Sequence, residues 1–459
     1  MSNQSAENMR GKKTATDKIN NENNSVENVI TQLLCLLPTL SLAPKEITRL
    51  VYSVRPDADF SGLNWLAAQP CFPQFYWATR CGNEESAALG LGKKFNSVQE
   101  GEIFLLENPQ YPDMRICGLN GWEAIGGSCS SPPENSAFFF LPRLEWQRDL
   151  QGQRLILTLF GEEDIPATEQ FLLSLQPAAN IHTLNTQIIQ QQHHPQHDEW
   201  CRLLTLAIAK MQTDPLEKVV MARQTALTLA APLGVADFLY ASQQVNHQCY
   251  HFMLAFDKQQ GFISSTPERL YLRQGKQLLT EALAGTVASS DDDQIAAKNA
   301  RWLMEDSKNQ HENLVVVDDI CQQLQGRVSA VDVSPAEIIR LRKVQHLRRS
   351  INAVLFSASD SDCLNRLQPT AAVSGLPRTI ARQFVTEHEP FERRWYAGSG
   401  GYISSNKSEF AVSLRCAEIN GHHIYLYSGA GIVSDSCPEQ EWQEIDNKAA
   451  GLISLLNNS

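Results

Sequence analysis

The chain has 459 residues, 42% hydrophobic and 20% charged, so it can bury a sizeable core and is not disordered throughout. Lys and Arg total 39 against 51 Asp and Glu, a formal charge of -12. That balance argues against a nucleic-acid partner or an anionic membrane, since both select for a basic face, and no run reaches the roughly 18 apolar residues of a membrane-crossing helix.

The N-terminus lacks the apolar stretch of a secretory signal. The cysteines are scattered singly from Cys35 to Cys437 with no C-x-x-C pair, which fits a reducing cytoplasm rather than a disulfide framework. At about 150 residues per domain the length allows roughly three domains, but large mixed folds often hold more than about 250 residues in one unit. One large α+β body, with residues 29–199 as its N-terminal part, is expected behind a loose tail. Nothing suggests a coiled coil or an exposed interaction helix, and a monomer is expected.

Residues 1–28 read as a polar, disordered tail whose four acidic residues cancel its four basic ones. Residues 29–199 form a first stretch of mixed pattern, with strands predicted at Ala137–Leu141 and Arg154–Phe160 between Gly and Pro punctuation. The polar run TQIIQQQHHPQHDEW, ending at Trp200, reads as a linker without ordered structure. Its His193, His194 and His197 are therefore weak metal ligands. Residues 200–459 carry denser signals. YLRQGKQLLTEALAGT predicts a β-hairpin turning at Gly275, and Asp291–Asp293 predict the cap of one long helix running through Val317. A strand-rich block covers Trp395–Cys416. HHIYLYSGAGIV reads as a strand entering a glycine turn. Ser436 and Pro438 open a last helix with Trp442, Ile445, Ala449, Leu452 and Leu456 on its apolar side. Strands and helices interleave without a steady βαβ period, so an α+β fold is predicted.

Several residues are candidates for chemistry. Glu441 and Glu444 share a helix face, and Glu312 follows His311 on the earlier helix. Three carboxylates suit a hard, oxygen-seeking cation, but solvated surface glutamates, with Glu444 paired to Lys448, fit the same spacing. Lys218 lies in EKVVMAR, where burial would favour its neutral amine; an edge-strand lysine facing water is the ordinary alternative. Glu268, in GFISSTPERL, is either a general acid at a strand end or a local partner of Arg269. Gly429 and Gly431 could present backbone N–H groups to an anion or simply make a tight turn. Arg415 falls on an alternating strand pattern and, facing inward, would need a carboxylate.

The blocks EKVVMAR, GFISSTPERLYL, TEALAGT, SKNQHENLVVVDDI, VQHL, LQPTAAVSGLPR, RRWYAGSGGYIS, FAVSLRC and YSGAGIVSDSCPEQEWQEIDNKAAG occur in the order found in chorismate-utilising enzymes. The chain resembles that family, and within it the menaquinone-pathway isochorismate synthase branch, to which FYWATRCGNEESAALG is also similar. The resemblance implies a large chorismate-binding fold like anthranilate synthase component I, with mostly antiparallel sheets, helices packed outside and residues 200–459 as the catalytic core. It implies chorismate as substrate and Mg²⁺ held by Glu312 and Glu444, with Glu441 assisting. Gly429, Gly431 and Lys448 would surround the ring carboxylate, Arg415 and Tyr396 the enolpyruvyl carboxylate, and His346 and Thr370 the ring. Lys218 would be the base that activates water, where ammonia-using members carry glutamine, and Glu268 the acid for the departing C4 hydroxyl. Ala284 stands where the aminodeoxychorismate branch often places a lysine. Gln368 and Ala371 depart from many relatives in a way that suits the menaquinone branch. A salicylate synthase, which goes on to eliminate pyruvate, would share the same catalytic residues, as would an isochorismate synthase serving a siderophore pathway.

Overall fold

The computed structural model describes residues 24–55, 60–124, 136–181 and 183–456. Among them are twenty strands, joined by antiparallel ladders into one extended sheet system with α-helices packed against it. Strands from before and after residue 200 interleave. Gln74–Ala78 pairs with Tyr250–Ala255, and Ile116–Asn120 pairs with Ser399–Ile403. Side chains alternate across the sheet, as a pleat requires. Trp77 and Phe252 therefore enter one buried cluster while their neighbours Tyr76 and Met253 enter another.

The strand Lys218–Leu229 is the spine of the second half. Its first six residues, KVVMAR, are all buried. It pairs along its length with His423–Ile432 on one side. On the other it meets Ile188–His194 and, at its start, the short strand Gly375–Leu376, with Leu376 opposite Lys218. A buried ion pair supports it from behind. Arg393 binds Glu389 at 2.6 Å and donates to the carbonyl oxygen of Val220 at 2.6 Å, while Ala222 N–H donates to Glu389 at 2.8 Å.

Local chemistry sets the helix ends, and some differ from expectation. Asp292 caps a helix at Asp293–Glu305, but Asp306 then accepts from Asn309 N–H and opens a second helix, Ser307–Leu324. One long helix was expected; a second capping aspartate divides it. Ser25 caps a helix at Val26–Leu36, so order begins inside the expected tail, whose residues 1–23 lie outside the described residues. The glutamine-rich run is not an unstructured linker. Ile188–His194 is a strand, and the helix His197–Thr213 follows. Its mostly polar side chains face solvent while its backbone completes the sheet edge, which a reading based on apolar periodicity overlooks. The hairpin at Gly275 and the final helix, Pro438–Leu456, lie where the sequence predicts them, with Ile445, Ala449, Leu452 and Leu456 buried.

Removing one partner of a fully buried ion pair leaves an uncompensated charge, at a cost of about 3–5 kcal/mol. Arg393→Met is therefore expected to lower the unfolding free energy by that amount, read from the urea midpoint; an unchanged midpoint would contradict the role given to this pair.

Candidate active site

A cleft of about 160 Å³ opens at the start of the Lys218–Leu229 strand. Its lining includes Lys218, Glu268, Glu312, His346, Tyr396, Arg415, Gly429, Gly431, Glu444 and Lys448, which come from eight separate stretches of chain. Thr370 and Glu441 stand just behind the wall: Thr370 Oγ1 donates to Glu268 at 3.4 Å, and Glu441 accepts from Ser436 at 2.9 Å.

The two glycines are not in a turn. They lie inside the strand His423–Ile432, with Gly429 opposite Ala222 and Gly431 opposite Val220. Val220 and Ala222 N–H bond away from this strand, to Ser374 and Glu389, so both glycines sit at non-hydrogen-bonded pairs. Their backbone groups point away from the ladder, where Lys448 reaches the Gly429 carbonyl. The turn expected from sequence is replaced by a strand in which close approach requires glycine. A Cβ on Gly429 would come within 2.6 Å of the Tyr396 hydroxyl, and one on Gly431 within 2.9 Å of Lys218 Cε. The absent side chains let Tyr396 and Lys218 lie across the strand. Tyr396 also stacks on Tyr427, ring centroids 5.3 Å apart. Arg415 is likewise not on a strand; it sits between Lys407–Val412 and Cys416–Asn420 with φ +46°, which turns its side chain out of the alternating pattern.

Lys218 is only 8% exposed, so it does not face water. Its Nζ lies 3.0 Å from Glu312. Lys448 is bound to Glu444 at 2.6 Å and donates to the Gly429 carbonyl at 2.8 Å. The Glu444–Lys448 pair expected of a solvated helix face is therefore present, but at the edge of the cleft.

Glu268 is 3% exposed and pairs with no cation; Arg269 instead binds Glu409. Burial pushes the Glu268 carboxyl up to about 8, and the charge of Glu281 pushes the same way, against smaller opposing effects from Thr370 and Lys218. The carboxylic acid thus keeps its proton at neutral pH. An unfolded chain would ionise it near 4.5, so this group costs the fold stability as pH rises from 4.5 through about 8. Sequence reading overlooked Glu281, which looks like one more strand residue in TEALAGT. Its buried carboxylate is held by a two-pronged contact to Arg80 at 2.6 and 2.7 Å and accepts from Arg269 N–H. Arg80 lies about 200 positions away, so no local signal links the two.

His346 accepts from Arg415 Nη2 at 3.4 Å through Nε2; since a guanidinium can only donate, Nδ1 carries the proton and donates to Thr286 Oγ1 at 3.0 Å. Desolvation, with the charges of Arg415 and Lys448, pushes its pKa down to about 3. Burial raises the Tyr396 phenol, which stays protonated.

Glu312, Glu441 and Glu444 offer oxygen donors of the kind a hard divalent cation takes, though their carboxylate oxygens do not all lie within 4.8 Å of one another. Glu312 and Glu444 each rest against a lysine here, and burial together with Glu444 raises the pKa of Glu441. Both lysine-bound carboxylates are more than 40% exposed, so solvent reaches them.

A mixed antiparallel fold with three cations around a buried carboxylic acid is the build of an enzyme for a small anionic substrate. The chain belongs to the chorismate binding enzyme family, whose model matches residues 128–457. It is 49% identical to the isochorismate synthase MenF of Escherichia coli (strain K12) over 404 residues, covering 86% of this chain and 91% of that protein. It is 38% identical to the isochorismate synthase MenF of Pasteurella multocida over 418 residues, 89% and 94% of the two chains. The solved structure of MenF, the menaquinone-specific isochorismate synthase from Escherichia coli, superposes with a TM-score of 0.90 at 46% identity, covering 95% of this chain and all of that one. Anthranilate synthase component I from Streptococcus pneumoniae matches with a TM-score of 0.60 at 19% identity over 84% of this chain and 91% of that one, and shares the fold.

With its pKa near 3, His346 should show no titration between pH 5 and 8 in ¹⁵N NMR of imidazole-labelled protein. A titration midpoint above pH 5 would rule out the neutral, Nδ1-protonated ring.

Proposed function

We propose that the protein is an isochorismate synthase of the menaquinone branch, acting as a monomer in the cytoplasm on chorismate with Mg²⁺. The observation that carries this reading is the pairing, in one cleft, of Lys218 with a buried Glu268 that holds its proton to about pH 8. Family membership, with 49% identity to an isochorismate synthase along nearly its whole length, supplies the substrate. The described cysteines are all unpaired, as a reducing compartment keeps them.

In this reading Arg415 and Tyr396 hold the enolpyruvyl carboxylate. Neutral His346 and Thr370 border the ring, with His346 accepting a hydrogen bond and adding no charge. Lys448 and the backbone at Gly429 and Gly431 face the ring carboxylate. Glu312 and Glu444, with Glu441, would hold Mg²⁺, which when bound supplies positive charge that offsets and orients that carboxylate. With Glu312 engaged in that way, its 3.0 Å contact to the Lys218 amine would be released. Lys218 takes a proton from water, whose oxygen bonds to C2. The ring double bond shifts, the C4–O bond breaks, and Glu268 gives its proton to the departing hydroxyl. One water enters and one leaves, so the product is an isomer of the substrate. The acid is set by its surroundings, which hold the Glu268 proton to about pH 8.

Lys218→Ala is expected to bind chorismate but lose about 10²–10⁴-fold in turnover, the usual worth of a proton-transfer group; near-normal kcat in that variant would remove the lysine from the mechanism. The product should be isochorismate without pyruvate, and stoichiometric pyruvate would make the enzyme a salicylate synthase. The kcat/KM profile should fall above about pH 8 as Glu268 loses its proton. Glu281→Gln removes a charge that raises Glu268, so it should move that fall to lower pH; a shift upward would contradict the electrostatic assignment.

A further inference from the structure

Three donor groups converge at a place that is not part of the cleft lining. His197 is the first residue of the helix His197–Thr213, and Cys201 follows at i+4 on the same face. Glu439 is the second residue of the final helix, Pro438–Leu456. His197 Nε2 lies 2.9 Å from Glu439 Oε2, Cys201 Sγ lies 3.7 Å from Glu439 Oε1, and Cys201 Sγ lies 3.9 Å from His197 Nε2. Among the described residues this is the only set of three His, Cys, Asp or Glu groups whose donor atoms all lie within 4.8 Å of one another.

We propose that His197, Cys201 and Glu439 form a binding site for a borderline divalent cation of the Zn²⁺ type, joining the helix His197–Thr213 to the N-terminal turn of the final helix. The donor set of one imidazole nitrogen, one sulfur and one carboxylate oxygen is that of tetrahedral zinc with water in the fourth position. It differs from the all-oxygen set in the cleft, which suits a hard ion.

The geometry is close to what such an ion needs. Bonds of about 2.0–2.1 Å to nitrogen or oxygen and about 2.3 Å to sulfur put tetrahedral donors about 3.4–3.6 Å apart. The His197–Glu439 contact must open by about half an ångström and the two contacts to sulfur must close by a few tenths, within reach of side-chain torsions. The groups are accessible, with His197 42% and Glu439 68% exposed in their side chains. The framework around them is firm. The Trp442 ring packs edge-on against His197 with centroids 5.1 Å apart, Trp200 donates to the Pro438 carbonyl at 3.3 Å, and Arg223 lies over Trp442 while binding Asp446. A metal would displace the His197 and Cys201 protons, the first held more firmly by its contacts to Glu439 and Asp198 and the second by burial and then by the charges of Glu439, Asp198 and Cys437, so affinity should rise with pH. Glu441 and Glu444 follow two and five residues after Glu439, so an ion here would fix the turn from which the cleft carboxylates extend.

The test is a Co²⁺ titration of the full-length chain in saturating Mg²⁺, followed by the near-ultraviolet thiolate-to-cobalt charge-transfer band, with bound Zn²⁺ counted after desalting. One equivalent of cobalt should develop the band, and one zinc per chain should survive desalting and raise the thermal midpoint. Cys201→Ser should lose the band and the thermal shift while keeping the metal-free midpoint. Glu439→Gln, a surface change, should weaken cobalt binding without altering the fold. Absence of a thiolate band in the unaltered chain, a band that persists in Cys201→Ser, or unchanged cobalt affinity in Glu439→Gln would each overturn the site.

Discussion

The ladder between Lys218–Leu229 and His423–Ile432 is the constraint on which the site depends. Its register sets Gly431 against Val220 and Gly429 against Ala222. With no side chains at these two positions, the Lys218 stem crosses one and the Tyr396 hydroxyl approaches the other. A slip of one residue would send every side chain to the opposite face, taking Lys218 out of the cleft. The final helix is tied to the same ladder, since Arg223 reaches from the strand to Asp446 and Lys448 reaches from the helix to the Gly429 carbonyl. The Lys218 strand, the glycine strand and the final helix are therefore tied to one another.

Buried ion pairs surround this unit. Arg393–Glu389 props the strand from behind, and Arg80–Glu281 stands beside Glu268. Such pairs add little net stability over apolar residues of the same size, because desolvation offsets most of the attraction. Their effect here is positional and electrostatic. Glu281, held by Arg80, raises the proton affinity of Glu268, and a hydrophobic replacement would lose that influence. The overall charge of -12 therefore says little about the site. In the cleft Lys218, Arg415 and Lys448 face a substrate-sized space, with the one deeply buried carboxyl neutral.

Much of this was legible along the chain. The α+β class followed from interleaved strands and helices, and the final helix from its apolar spacing. The ordered motifs pointed to the family and to the residues that line the cleft. Local rules fell short where backbone pairing outweighs side-chain pattern. The glutamine-rich run contains too few apolar side chains to announce a strand, yet Ile188–His194 satisfies its backbone against Lys218–Leu229. The glycines looked like a turn because conformational freedom is their commoner use, whereas here the missing Cβ matters. His197 looked like one of three linker histidines; in the fold it leaves His193, which contacts Thr225, and joins Cys201 and Glu439 instead.

The amino-acid sequence by itself determined the family, the fold class and the residue types available for acid, base and anion contacts, because these reside in short motifs and local periodicity. Only the tertiary structure decided which state those groups hold. Glu268 becomes a carboxylic acid at neutral pH through burial and the distant Arg80–Glu281 pair, and Lys218 meets Glu312 across 94 positions. Proton affinity depends on the solvent and charges brought near a group in space, and chain order does not carry that information.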